Sequence, residues 1–218
     1  MQTSFSRAAT AHMIILVILA WLAPALQLYI LLHNVPGNGL TYLQAAGRFL
    51  LFFTILTNLL VAISTSSILL APQSKWGQFF SRPASLTAVA LYIFIVGLVY
   101  NIILRNIWEP AGLQKWVDEA LHVAVPLLFI LFWLFFVPKG DLKWRHAIFW
   151  LIYPGLYLIY AMLRGVVEGF YPYPFIDAGQ LGYTRVLINA TGLLLVFIIT
   201  GLLFIGVDKL KGAALKSV

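Results

Sequence analysis

Cysteine is absent from this sequence, and charged residues are few. Without cysteine, the chain has no disulfide, no thiol nucleophile, no iron–sulfur cluster and no thiolate-bound zinc. Only 10% of its 218 residues are charged, whereas a soluble domain carries roughly 25%. The chain is 62% hydrophobic and has a mean hydropathy of +0.95, so water is not the main solvent of its surface. The composition is that of an integral membrane protein.

Long apolar runs take the place of the missing charge. Six of them are long enough to cross the ~30 Å hydrocarbon core of a bilayer. They cover residues 12–32, 46–71, 84–104, 118–137, 145–164 and 184–207. The first run is longer than the core of a secretory signal, so it is interpreted as a helix. The sequence predicts one all-α domain over residues 1–218, a polytopic membrane protein built as a bundle of six transmembrane helices.

Lysine and arginine are unevenly distributed over the connections between these segments. Of the 14 basic residues, nine lie on the side of the two termini and five on the other side. Cytoplasmic loops are enriched in lysine and arginine, so both the N and the C terminus are predicted to be cytoplasmic. Membrane topology therefore explains the basic excess. No aromatic and basic run is long enough to follow a phosphate backbone, and no nucleic-acid partner is expected.

The connections on the predicted outer side are longer and rich in aromatic residues. Trp108, Trp116, Tyr171 and Tyr173 fit an aromatic belt at the membrane interface. Residues 171–175 contain two prolines in five positions, which is incompatible with a helix. The sequence predicts that they form a fixed loop.

Polar side chains occur in the middle of the second predicted span. Thr54 and Asn58 are four residues apart and share one helical face, with Thr57 beside them. A polar group in hydrocarbon is costly unless it pairs inside the protein, and hydrogen bonds between helices are the simplest explanation. Nearer the inner end, the hydroxyls of residues 64–67 are expected to bond to carbonyls one turn earlier.

A histidine lies at a similar depth in the fourth predicted span. Because the second and fourth spans both begin on the outer side, Thr54 and His122 are both expected in the outer leaflet. A hydroxyl becomes a nucleophile when a base such as histidine removes its proton. Asp118, one turn before His122, could accept the other ring N–H and fix the tautomer. The candidate catalytic residues are therefore Thr54, His122 and Asp118.

Donors for a developing oxyanion are also available at this level. The candidates for substrate or oxyanion binding are Asn58, Asn101, Arg105 and Arg48. Simpler roles stay open for several of these residues. His122 could bond to a main-chain carbonyl, Asp118 could cap a helix, and Arg105 could extend its guanidinium to the interface.

The same residues carry a resemblance to a known family. The run from Phe53-Thr54 to Leu60, Leu121-His122 ahead of Pro126, and Tyr173-Pro174-Phe175 before the last span resemble the androgen-induced-protein family of membrane threonine hydrolases. This chain is most similar to the prokaryotic branch. The resemblance implies that Thr54 is the nucleophile and His122 the base. It also implies a substrate such as a fatty-acid ester of a hydroxy fatty acid. The role of Asp118 comes from spacing, and not from the family.

Three functions follow from these observations. The first is an intramembrane lipid-ester hydrolase of a prokaryotic plasma membrane, which takes a lipid or fatty-acid ester from the outer leaflet and needs no cofactor. The second is a protein that binds or transports a lipid or an anion, with Arg48, Arg105 and Arg164 holding the headgroup. The third is a b-type haem electron carrier, in which His33 pairs with His122 and His12 with His146.

Overall fold

The structure, a computed structural model, describes residues 6–216, apart from the side chains of residues 38, 215 and 216. These residues form eleven α-helical segments, the last of which is interrupted by a kink at Gly182 (φ = 72°), and no strand. The helices are α1 (Arg7–His33), α2 (Val35–Asn38), α3 (Tyr42–Phe49), α4 (Phe53–Leu70), α5 (Lys75–Phe80), α6 (Pro83–Ile102), α7 (Gly112–Glu119), α8 (Val125–Phe136), α9 (His146–Phe149), α10 (Ile152–Glu168) and α11 (Ala178–Lys216). Two 3₁₀ turns, Leu104–Asn106 and Pro174–Ile176, and a π-helical turn, Ala120–Ala124, complete the helical structure.

Six helical segments of the described chain are long and apolar enough to span a membrane. They are Arg7–His33, Phe53–Leu70, Pro83–Asn106, Gly112–Phe136, His146–Glu168 and Ala178–Ala214. The predicted all-α class with six membrane-spanning helices is thereby confirmed. The side of the membrane on which the termini lie stays a prediction.

Contacts divide the chain into two compact units, which are described separately. Unit 1 is Met1–Pro138 and contains the first four spans, whereas unit 2 is Lys139–Val218 and contains the last two. The prediction of a single domain over residues 1–218 is not tested by this division.

The second span begins later than the sequence predicted. A separate short helix, α3, ends at Phe49, and α4 starts only at Phe53. The helix α3 begins with a capping box, in which the Thr41 hydroxyl accepts from Gln44 N at 3.2 Å and Gln44 Oε1 accepts from Thr41 N at 2.8 Å. Phe52 then has extended backbone angles, which ends any continuous helix across this point. The predicted start at residue 46 is wrong for this reason.

Helix α1 packs against α4 and α8 through a stripe of small and apolar residues. Ala9, Met13, Leu16, Ala20 and Ala23 are at most 1% exposed and recur every three or four positions, so they lie on one face. Small residues allow helix backbones to approach closely in a membrane. This face holds the first span against the rest of unit 1.

The hydroxyl-rich end of α4 largely follows the prediction. The hydroxyls of Ser64 and Thr65 donate to Val61 O at 3.0 and 2.6 Å, and that of Ser67 donates to Ile63 O at 2.7 Å. Ser66 differs, because its hydroxyl accepts from Trp21 Nε1 at 3.0 Å and so links α4 to α1. These contacts satisfy the hydroxyls within the protein.

In unit 2, residues 171–173 of the proline-rich segment are non-helical as predicted, whereas Pro174–Ile176 form a 3₁₀ turn. The rings of Tyr173 and Phe175 stack with centroids 5.2 Å apart and planes 4° apart. Asn189 on α11 donates from Nδ2 to Phe175 O at 2.9 Å. Tyr171 packs so closely on α10 that a Cβ at Gly165 would lie 2.1 Å from its ring. Glycine is therefore required at position 165 for this packing.

We expect Gly165→Ala to lower the thermal stability of the detergent-purified protein, by roughly 1–3 kcal/mol of unfolding free energy for an overpacked contact. The matched control is Gly155→Ala on the same helix, where a Cβ meets nothing within 4 Å. That control should be neutral or stabilising, since alanine favours helix by about 1 kcal/mol. Equal melting temperatures for the two variants would contradict the packing described here.

Candidate active site

Two main-chain carbonyls lose their helical partners where the fourth span changes from π to α geometry. In the turn Ala120–Ala124, Val125 N donates to Ala120 O, five residues earlier. The next residue, Pro126, has no N–H to donate. Leu121 O, five residues before it, and His122 O, four before it, therefore need other donors. In hydrocarbon, an unpaired carbonyl costs several kcal/mol.

Asparagine side chains from two other helices supply those donors. Asn58 Nδ2 donates to Leu121 O at 3.2 Å and to Thr54 O at 2.8 Å. Asn101 Nδ2 donates to His122 O at 3.4 Å and to Gly97 O at 2.8 Å. Each amide thus links its own helix, α4 or α6, to the π-helical turn. The second and fourth spans are therefore neighbours, and Thr54 and His122 lie on adjacent helices at the same level.

Close packing and an ion pair keep the Asn101 amide in place. A Cβ at Gly97 would lie 3.0 Å from His122 O, so glycine lets α6 approach the turn without a tight contact here. Arg105 Nε donates to Asn101 Oδ1 at 3.0 Å, which leaves Nδ2 directed at the carbonyls. Arg105 in turn forms a bidentate pair with Glu119, with N–O distances of 2.7 and 2.9 Å.

His122 is buried, at 8% exposure, and its tautomer is fixed by the main chain. Nδ1 lies 2.9 Å from Asp118 O, and because a carbonyl only accepts, Nδ1 carries the proton. A neutral ring then has its lone pair on Nε2. Tyr100 stacks on the ring with centroids 3.8 Å apart and planes 11° apart. These two contacts set both the orientation and the basic nitrogen of His122.

Thr54 is equally buried, at 8% exposure, on the face of α4 that carries Asn58. His122 Nδ1 is engaged by Asp118 O, so Nε2 is the ring nitrogen that could take a proton from the Thr54 hydroxyl. Hydrogen bonds between catalytic groups are often long in the absence of substrate and tighten when substrate binds.

The carboxylate of Asp118 has a different role from the one predicted. Its Oδ2 accepts from Trp108 Nε1 at 2.7 Å and its Oδ1 accepts from Gln114 Nε2 at 3.1 Å. Gln114 also donates to Gln27 Oε1 on α1 at 2.8 Å. The main-chain carbonyl of Asp118 therefore orients His122, because it accepts from the ring Nδ1 at 2.9 Å. The buried carboxylate instead joins α1 to α7 and the preceding loop.

The candidate oxyanion donors are engaged with the protein. Both asparagine amides hold main-chain carbonyls, and Arg105 holds Glu119 and Asn101 while its guanidinium lies 5.2 Å from the centre of the Tyr100 ring. Arg48 lies half-buried in the last turn of α3, outside the spanning part of α4. Asn58, Asn101 and Arg105 therefore act as positioning residues of the site in this structure.

Sequence reasoning missed several residues that shape this site. Tyr100, Gly97, Trp108 and Gln114 contact His122 or Asp118, although none was singled out as a functional residue. One signal was available, because Pro126 follows His122 by four positions and so removes its helical donor. The stacking of Tyr100 left no sequence signal, since aromatic residues are common in every span.

The histidines of unit 1 proposed as haem ligands have protein partners. His12 Nε2 donates to Leu128 O at 2.8 Å, and its ring lies near Phe132 and Phe136. His33 stacks on Tyr29 with centroids 5.8 Å apart. Contacts within the protein thus account for the positions of the His12 and His33 side chains, as they do for His122.

Comparison of this chain with known protein families, curated proteins and solved structures gave no match.

The two amides should contribute measurably to stability. We expect Asn58→Leu to lower the unfolding free energy by roughly 1–3 kcal/mol, because Leu121 O is left without a donor. In a Pro126→Ala background the cost should be smaller, since the restored N–H can bond to one of the two carbonyls. Denaturant or thermal unfolding of all four proteins of the cycle measures the difference. Strict additivity would show that Asn58 does not replace the missing amide of Pro126.

Proposed function

We propose that the protein is an intramembrane hydrolase of lipid or fatty-acid esters, with Thr54 as nucleophile and His122 as base. One observation carries the proposal. The Asn58 amide bridges the main chain at Thr54 to the main chain at Leu121, next to His122, so the two helices with the reactive groups are fixed together. The family resemblance of the sequence points to the same pair of residues.

The chemistry requires a hydroxyl and a neutral imidazole in a site shielded from water. In the first step, Thr54 Oγ attacks the ester carbonyl carbon while His122 Nε2 takes the hydroxyl proton. The C–O bond to the leaving alcohol then breaks, and the alcohol receives the proton from the imidazolium. Water attacks the acyl-threonine with the same base, which releases the fatty acid and restores the hydroxyl.

The tautomer of His122 suits this role. Because Nδ1–H is held by Asp118 O, proton transfer takes place at Nε2 and not at Nδ1. The ring is also clamped by Tyr100, so little orientational freedom has to be lost when substrate binds. Asn58 and Asn101 act here as positioning residues for the π-helical turn.

A buried apolar cluster includes the sequence neighbours of Thr54 and His122 and fits a lipid substrate. The side chains of Ile55, Phe49, Val117 and Leu121 form a buried cluster with Ala23 of α1. Acyl chains are compatible with such a wall, whereas a charged substrate is not. We assign the activity to a prokaryotic plasma membrane, with substrate entering from the outer leaflet as the lysine and arginine distribution predicts.

Removal of the hydroxyl alone tests the nucleophile. We expect Thr54→Val to reduce ester hydrolysis by the purified protein by roughly 10²–10⁴-fold and to abolish labelling by a fluorophosphonate probe, while Thr54→Ser retains part of both. The matched control is Thr57→Val, which removes a fully buried hydroxyl from the same helix.

The corresponding base variant is His122→Ala, with His33→Ala as the control at an exposed histidine. A folded Thr54→Val protein with unchanged turnover would refute the proposal. A wild-type protein that binds lipid but does not hydrolyse it would favour a binding or transport function instead.

A second experiment separates the carbonyl of Asp118 from its carboxylate. Asp118→Asn preserves the main-chain carbonyl that holds His122 Nδ1–H, so we expect turnover to fall by less than about tenfold in folded protein. An aspartate that orients histidine through its carboxylate loses about 10⁴-fold on the same substitution. Steady-state hydrolysis rates of the variant and the wild type distinguish the two cases.

A further inference from the structure

In unit 2, the loop that precedes α9 is held against the last turns of α11 by a backbone contact. A Cβ at Gly212 would lie 2.5 Å from Gly140 Cα, so glycine at position 212 lets the two segments meet. Gly140 itself has φ = 105°, which L side chains rarely adopt. Asp208, only 1% exposed, accepts from Leu142 N through Oδ2 at 3.1 Å. The loop is therefore held against α11 at two points. One is the backbone contact of Gly140, and the other is the hydrogen bond from Leu142 N to Asp208.

This contact gathers basic residues from two parts of the sequence. The Lys139 cluster comprises Lys139, Lys143 and Arg145 from the loop, and Lys209 and Lys211 from α11. Only Asp141 and Asp208 carry negative charge in the same two segments, and the Asp208 carboxylate already accepts from Leu142 N. The five basic residues thus outnumber the two acidic residues of the loop and of the last turns of α11.

Lys139, like Lys211, is partly shielded from water. It is half-buried, and burial lowers the pKa of its ammonium group to about 8. Asp208 opposes this lowering of the pKa, and nearby Lys211 contributes to it. A lysine that is partly desolvated next to a second cation is stabilised when an anion binds between them.

The position of the cluster matches the depth of lipid headgroups. The loop follows the span that ends at Phe136 and precedes the span that begins at His146. On α11 the last span ends at Ala214, close to Lys211. Lys209 Nζ lies 5.6 Å from the centre of the exposed Trp144 ring, and tryptophan is enriched at this interface.

We propose that the Lys139 cluster binds the phosphate of an anionic phospholipid headgroup, with Lys139 and Lys211 as its principal contacts. Basic residues between helix ends at a membrane surface are suited to this ligand class. The site belongs to the opposite helix ends from Thr54 in the predicted topology, and it does not depend on the proposed hydrolase activity.

The test compares lipids retained by the full-length protein in native mass spectrometry. The wild type should retain phosphatidylglycerol in preference to phosphatidylcholine, and Lys139→Gln/Lys211→Gln should reduce that preference about tenfold or more. Lys115→Gln/Arg185→Gln removes two exposed cations elsewhere in the sequence and should leave the preference unchanged. Equal loss in both double variants, or no preference in the wild type, would overturn the proposal.

Two further measurements keep the result interpretable. Raising the ionic strength should weaken phosphatidylglycerol retention by the wild type, because a headgroup at the surface is screened by salt; this readout needs no folded variant. Inorganic phosphate is added in a parallel arm. Displacement of the lipid by millimolar phosphate would show that the site recognises free phosphate and would overturn the lipid assignment.

Discussion

The organisation of unit 1 depends on a missing backbone N–H at Pro126. In water, a carbonyl without a helical partner is hydrated at little cost, whereas in hydrocarbon it needs a donor from the protein. Asn58 and Asn101 provide that donor from two different helices. The two asparagines thus join α4 and α6 to the π-helical turn at Leu121 and His122.

The same requirement shapes the environment of His122. A π-helical turn widens the helix and often occurs at functional sites. Here it places the ring between Asp118 O and the face of Tyr100, with α6 held close by Gly97. The orientation of the histidine therefore follows from backbone chemistry, and no charged partner is needed to fix its tautomer. This property fits a base that works in an apolar interior.

The ion pairs Arg105–Glu119 and Arg164–Glu168 lie at the ends of spans, where water reduces their cost. The Arg105–Glu119 pair is partly exposed, with 41% and 33% of the two side chains accessible. Such a pair contributes little stability by itself. Its structural value lies in the bond from Arg105 to Asn101, which holds the amide in the orientation that serves His122 O. In unit 2, the Lys139 cluster brings five basic residues together with two acidic residues in the same segments.

The sequence determined the class of the protein and the polar residues of the site, because long apolar runs and isolated polar groups in hydrocarbon have few physical explanations. It predicted that Thr54 and His122 lie at a similar depth, since a helix has a fixed rise per residue. Only the tertiary structure decided that Asn58 bonds beside His122, that Tyr100 covers the ring, and that the carbonyl of Asp118 orients it. The contacts of Asn58 and Tyr100 depend on the rotation of each helix about its axis, and packing between helices sets that rotation.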